Sequence, residues 1–335
     1  MAYPAVHPAV QGLSASSRAR YSVAQVLGLC LTAGLLAGLV ARPALTLHVL
    51  WDMVIPLLPA VFLINPMIWR NACPLATLNA ATGQRMSTRP LEGRALRASW
   101  AIGIVLLFVM VPARRFLFNG NGPALAATIV AVAAAALAAG MLFTRRAGFC
   151  NAICPVLPVE KLYGQSPLVR LASARCAACS LCTPTGCLDI AGEKTLVQML
   201  GPARRTFRWL GTPFGLFSIA FPGFIVGYFT SENGPLSTAP VVYLHMLAWS
   251  AASLGLLGAA VLLTRVPAKI ALPLLGALAI GLYYWFAAPA LARAYGGGVT
   301  AGLLLRLAAG ALLAIWLVRS PVWRGKAGQA GAMDG

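Results

Sequence analysis

The residue types that could do chemistry in this chain are its cysteines. The strongest run is Cys176-Ala-Ala-Cys179-Ser-Leu-Cys182-Thr-Pro-Thr-Gly186-Cys187. Two CxxC steps in tandem let three thiolates wrap around one cubane, which is the spacing of bacterial ferredoxins. In that pattern a fourth cysteine follows after three residues and is itself followed by proline. Here four residues separate Cys182 from Cys187, and Leu188 comes next. A four-thiolate zinc knot is the alternative, but ordinary zinc ribbons space their ligands more widely. The run therefore reads as a [4Fe-4S] site held by Cys176, Cys179 and Cys182, with Cys187 as the favoured fourth ligand, Gly186 permitting the sharp turn before it, and Cys154 as the alternative.

A second pattern is Cys150-x3-Cys154-Pro155. Cysteines four apart share a helix face. Proline suits a first helical position, so Val156 to Tyr163 reads as a helix with Cys154 at its start. Free amides and the helix dipole there favour a thiolate, for a metal or for redox work. Cys73-Pro74 repeats the arrangement, with Trp69 at the earlier cysteine position. The strings Trp69-Arg-Asn-Ala-Cys73-Pro74 and Phe149-Cys150-Asn151-Ala152-Ile-Cys154-Pro155 are alike enough to suggest a distant duplication. The null alternative is a buried, inert pair. Cys30 lies in an apolar run and reads as a small apolar residue.

These motifs resemble the NapH/NosR/CcoG group of polytopic membrane ferredoxins over roughly residues 45–190. The resemblance implies cytoplasmic iron–sulfur clusters and electron transfer between a quinol pool, or a cytoplasmic donor, and a partner redox protein. The CcoG-like members resemble copper-handling reductases, which would put Cys73, Cys150 and Cys154 on copper; a transporter-like membrane protein whose cluster acts as a sensor is a further alternative. This sequence has lost one cysteine of the first C-x3-C-P and has a single ferredoxin-type run. Two all-cysteine cubanes need eight thiolates, and only seven cysteines lie outside the apolar spans. A second iron–sulfur or metal centre at Cys73, Cys150 and Cys154 therefore needs a non-cysteine ligand, an open iron or a different metal.

The elements that position these residues are membrane helices. The chain is 59% hydrophobic and only 10% charged, with a mean hydropathy of +0.80, too apolar for a water-soluble surface. Eight apolar spans lie near 21–41, 45–68, 97–117, 123–143, 208–229, 239–263, 268–290 and 298–319. Pro56 and Pro59 should kink or unwind the second. Gly34 and Gly38 form a GxxxG pair in the first. The net charge of +19 does not mark a nucleic-acid surface, because the charges lie in short loops between spans.

Counting alternate loops puts every lysine and arginine except Arg42, Arg114, Arg115, Arg293 and Arg306 on one side. The positive-inside rule makes that side cytoplasmic, with both termini on it, as in a bacterial inner membrane. Trp69, Trp100, Trp209, Trp316 and Trp323 fall at that boundary, as an aromatic belt would. The expected organisation is an all-α membrane protein. A four-helix N-terminal bundle (1–143) is followed by a cytoplasmic iron–sulfur module (144–207) and a second four-helix bundle (208–335). Cysteines kept in a reducing compartment point to metal or redox work rather than disulfides.

Four polar residues interrupt the spans: His48, Asp52, His245 and Arg306. All lie within roughly 5–12 Å of the outer boundary by helix rise. Such groups are functional candidates. Three readings stay open: a quinone pocket, an Asp52–Arg306 pair that holds the bundle, and a haem b on His48 and His245. Nothing marks nucleotide binding or a catalytic triad, and the substrate side of any enzyme activity is not specified. Lipid, a quinol and a partner redox protein are the expected partners. Reporter fusions at Gly120 and Gly234 should both read as periplasmic; a cytoplasmic signal at either contradicts the eight-span topology.

Overall fold

The computed structural model describes residues 15–169, 184, 186–187, 192–201, 203 and 206–319. Among them every regular element is helical. Eight helices are long and apolar enough to cross a membrane: Ser22–Ala41, Pro43–Ile64, Gly93–Phe118, Gly122–Leu142, Pro213–Thr230, Leu236–Thr264, Ala268–Ala294 and Val299–Arg319. The chain is thus a multi-pass membrane protein; its span count matches that expected from hydropathy, and each boundary falls within five residues of the expected one. We number the helices α1 (Ala15–Ala41), α2 (the span Pro43–Ile64), α3 (Pro66–Ala72), α4 (Pro74–Gly83), α5 (Gly93–Met110), α6 (Gly122–Leu142), α7 (Leu157–Tyr163), α8 (Gly192–Leu200), α9 (Pro213–Thr230), α10 (Ala239–Thr264), α11 (Ala268–Ala294) and α12 (Val299–Arg319).

The prolines act on α2 as expected. It runs as an α segment to His48, a π-helical turn over Val49–Val54, a 3-10 turn over Ile55–Leu57 and a closing α segment. The Tyr284 hydroxyl enters the broken ladder, donating to the Pro56 carbonyl at 2.9 Å and accepting from the Ala60 amide at 3.1 Å. A side chain inserted between helical partners is an established cause of a kink.

α9 is the centre of the bundle, with 72% of its apolar window buried against 6% for α1. Phe214, Phe217, Phe221 and Phe224 stack down one face, with successive ring centroids 5.9, 4.8 and 5.9 Å apart. Gly223 and Gly227 form a GxxxG step against α10. A Cβ on Gly223 would lie 2.1 Å from the Trp249 carbonyl oxygen, and one on Gly227 would lie 2.9 Å from Met246 Cα. The pair expected in α1 behaves differently: Gly34 has nothing within 4 Å, and Gly38 packs against Thr46. A GxxxG string signals close packing only where a partner backbone reaches it.

Two stretches read as loops are instead wedges between the helix ends. Residues 65–83 form α3 and α4, packed on α1 and α6. A Cβ on Gly28 would meet the Ala72 carbonyl oxygen, and Asn79 Nδ2 donates to the Ala136 carbonyl at 2.8 Å. Residues 149–166 form a second π-helical turn (Phe149–Ile153) and α7. They lie against Trp100 and Gly103 of α5, Phe221 of α9 and Leu272 and Gly276 of α11. At 1.5 Å per residue these contacts lie roughly 6–15 Å in from the ends of the surrounding helices. The first part of the expected soluble module is therefore buried in the bundle.

The expected tryptophan belt is also corrected. Trp209 and Trp316 are fully buried, and Trp100 nearly so. The indole of Trp209 donates to the Val266 carbonyl and that of Trp100 to the Asn151 carbonyl. They pack the interior of the bundle end instead of lying in lipid. Trp323 is outside the described residues. Replacing Gly223 with leucine should cost at least about 1–3 kcal/mol through overpacking, while Gly34→Leu should leave the thermal midpoint in detergent unchanged. Equal midpoints for the two variants would contradict this packing.

Candidate metal centre and the polar cluster at the opposite end

The two Cys-Pro turns have one backbone geometry. Cys73 has φ −64° and ψ 120°, and Cys154 has φ −60° and ψ 122°. The following proline excludes α-helical backbone at each cysteine and so ends the helix before it. In both turns the freed amides ahead lower the pKa of the thiol, Leu75 and Ala76 at Cys73, Val156 and Leu157 at Cys154. The Cys73 amide bonds the Trp69 carbonyl, and the Cys154 amide bonds the Phe149 carbonyl. The second turn has one residue more, and the π-helical turn absorbs it. Trp69 therefore corresponds to Phe149, Arg70 to Cys150 and Asn71 to Asn151. Counting back four residues had set Trp69 opposite Cys150; the hydrogen bonds set Arg70 there.

The turns are fastened to each other by buried polar groups. Arg70 Nε donates to Glu160 Oε1 at 2.7 Å, and its Nη1 donates to Asn151 Oδ1 at 3.1 Å. Lys161 Nζ lies 3.2 Å from the same carboxylate oxygen. Arg145 and Arg146 are buried beside them. These five residues are all the buried charged side chains among the described residues. Removing the carboxylate from such a group costs about 3–5 kcal/mol, because the cations stay buried.

Cys73, Cys150 and Cys154 come together here. They are free thiols, each half-buried by surface, and near enough that charge on one opposes charge on another. Among the described residues no three His, Cys, Asp or Glu side chains are grouped to hold a metal ion. Burial dominates the titration of all three. It raises Cys73, raises Cys150 strongly despite Arg146 and Arg70, and pushes Cys154 to about 12 despite its two amide donors. This corrects the expectation of a helix-start thiolate: desolvation outweighs the amides, so the metal-free thiols are neutral. A thiol raised in the folded state loses its contribution to stability as pH climbs from 9.0, the unstructured value, towards about 12.

The ferredoxin-type run is described only at its end. Cys176, Cys179 and Cys182 are outside the described residues. Gly186 takes the left-handed conformation expected before Cys187, with φ +61°, and a Cβ there would strike the backbone of Arg146 and Ala147. Cys187 is buried, and its thiol lies near Arg145, which carries a left-handed φ of 51°. The Leu91 amide bonds the Pro184 carbonyl at 3.1 Å. The end of the run is thus docked on the chain just before Cys150. α7 begins at Leu157, one residue later than expected, with Pro158 in its first turn.

At the opposite end, His48 and Asp52 are joined, Nδ1 to Oδ2, at 2.9 Å. Their third partner is Arg114, which the sequence counts only among the outer-side charges. Arg114 Nη2 lies 3.6 Å from Asp52 Oδ1, Nη1 donates to the Tyr228 hydroxyl at 2.8 Å, and Nε donates to Asn119 Oδ1 at 2.9 Å. The guanidinium also stacks 4.6 Å from the Trp51 ring. Arg114 begins a third π-helical turn, Arg114–Phe118. Its place at the end of an apolar helix suggested a loop charge, and no local signal linked it to Asp52.

His245 and Arg306 bond elsewhere. His245 Nε2 pairs with Thr230 Oγ1 at 2.8 Å, joining α10 to α9. Arg306 donates twice to the Trp285 carbonyl, at 2.9 and 2.7 Å, and stacks over its ring. That carbonyl would normally accept from residue 289, but Pro289 has no N–H. Arg306 satisfies a backbone acceptor that lipid could not.

No family model matches the chain, and no match was found among curated proteins or solved structures. In metal-free protein at pH 8, iodoacetamide should alkylate Cys154 about 1,000-fold more slowly than in the unfolded chain, the ratio of thiolate populations for a pKa of about 12 against 9.0. Equal rates would contradict the burial described.

Proposed function

We propose that this chain is a membrane electron-transfer protein that carries iron–sulfur clusters and passes electrons between a quinol and a partner redox protein. The observation that carries the reading is the meeting of two Cys-Pro turns, from separate parts of the chain, in one half-buried thiol centre. Cys176, Cys179, Cys182 and Cys187 would hold one [4Fe-4S] cluster, and Cys73, Cys150 and Cys154 a second centre. A cluster supplies one-electron transfer when bound. The protein supplies a dry, positively charged surround and, at each Cys-Pro turn, two amides aimed at sulfur. Hydrogen bonds to cluster sulfurs and limited solvent are the means by which proteins tune such centres. Arg70, Arg145, Arg146 and Lys161 complement the negative charge of an iron–thiolate centre.

The quinol reading rests on the opposite end. Asp52 is the candidate proton acceptor, with His48 to relay the proton and Arg114 to hold the carboxylate. Distance supports the pairing. The backbone of the Cys154 turn touches Gly103 of α5, and Arg114 lies eleven residues further on. That is about 16 Å along the axis, roughly half the bilayer core. Thiols at a surface loop would leave the full thickness to cross.

Anaerobically purified protein should contain iron and acid-labile sulfide in equal amounts. A quinol should reduce the clusters, and Asp52→Asn should slow that reduction by at least about tenfold, the usual scale for removing a positioned proton acceptor. Unchanged reduction in Asp52→Asn would exclude this quinol site. Stoichiometric copper or zinc without sulfide, lost in Cys73, Cys150 and Cys154 variants, would replace electron transfer by a metal-handling role.

A further inference from the structure

We infer that the Cys73–Cys150–Cys154 centre is a three-thiolate cluster site whose fourth corner faces Arg70 and takes a small non-protein ligand, water or an anion. This rests on the iron–sulfur reading above and specifies the form of its second centre. The argument comes from comparing the two turns. Each is an aromatic residue, a variable residue, Asn-Ala and then Cys-Pro, with Ile153 inserted before the Cys-Pro of the second and matching torsions at the cysteine. In the second turn the variable residue is Cys150; in the first it is Arg70. Two complete turns would present four thiols. This chain presents three and a guanidinium in the fourth place.

Arg70 is held in that place. It is 6% exposed, with Nε on Glu160 and Nη1 on Asn151, the residue after Cys150. Its charge acts on the Cys150 sulfur. An arginine carries no lone pair for iron and stays protonated, so it does not substitute for the missing thiolate. It can donate to whatever occupies the iron, and its charge selects an anion or a water oxygen over a cation.

An iron without a thiolate leaves on mild oxidation. Ferricyanide takes one electron from [4Fe-4S]2+, Fe2+ departs, and [3Fe-4S]1+ remains, so charge and iron balance. The experiment is anaerobic ferricyanide titration of the full-length protein, with released iron measured by chelator and the three-iron cluster read by electron paramagnetic resonance. The wild type should release about one iron per chain and show the three-iron signal. That signal should persist in Cys179→Ser and Cys187→Ser and vanish in Cys73→Ser. In Arg70→Cys, which restores a fourth thiol, it should fall at least about tenfold while iron and acid-labile sulfide stay at the wild-type amount, which separates a filled corner from a lost centre; Arg70→Lys, which keeps the charge without a thiol, should retain it. A wild type that keeps all its iron overturns the inference and leaves the cluster reading standing. A three-iron signal lost in Cys187→Ser or Cys179→Ser instead of Cys73→Ser places the open corner in the other cluster and also overturns it. Absence of iron and sulfide dependent on Cys73, Cys150 and Cys154 removes the second centre itself.

Discussion

Arg70 and Glu160 are 90 residues apart in sequence and 2.7 Å apart in the fold, both nearly excluded from solvent. Their pairing decides where the two wedges meet. A buried ion pair adds little net stability over a well-packed apolar pair, but breaking one is expensive. Its effect here is on position. Arg70 precedes Cys73 by three residues and Glu160 follows Cys154 by six, so the bond fixes one Cys-Pro turn against the other. Asn151 adds a second bond to the same guanidinium, and the Trp100 indole holds the Asn151 carbonyl from α5. The half-buried thiols are neutral in the metal-free protein, so metal binding there would release protons.

The three π-helical turns of the described residues coincide with the candidate site residues. One carries Asp52, one Arg114 and Arg115, and one Cys150 and Asn151. A π turn inserts a residue and re-aims the side chains after it. In the second Cys-Pro turn that extra residue keeps Cys154 in the same geometry as Cys73. At the opposite end it lets Arg114 face Asp52 while Arg115 bonds the Tyr228 carbonyl and Asn233. That network ties α2, α5 and the α9–α10 connection together. Helix interruptions inside a membrane need their freed backbone groups satisfied from within the protein, as Tyr284 does at Pro56 and Arg306 at Pro289.

Much of this was legible from residue order alone. Apolar length gave eight spans, because lipid permits only closed backbone hydrogen bonding. Pro56 and Pro59 marked the broken helix, and Gly186 marked the turn before Cys187. The cysteine spacings marked the candidate centre. The depth of that centre was not legible, since short polar stretches between spans look the same as surface loops or as wedges. Nor was the partner of Asp52, because Arg306 and Arg114 are both arginines near one boundary and only three-dimensional packing separates them. The tryptophans misled because an indole at a helix end suits both a lipid interface and a buried carbonyl. The equivalence of Arg70 with Cys150 needed the hydrogen bonds, which reveal the one-residue insertion that hides it.

The central claim is that two Cys-Pro turns build a multi-iron centre inside the helix bundle. Its most direct test is the full chain with Cys176, Cys179, Cys182 and Cys187 all replaced by serine, purified without oxygen and analysed for iron, sulfide, zinc and copper. Iron and acid-labile sulfide in equal amounts, lost on further replacing Cys73, are the predicted result. A chain without sulfide, or with a single zinc or copper ion bound by the three remaining thiols, would contradict it.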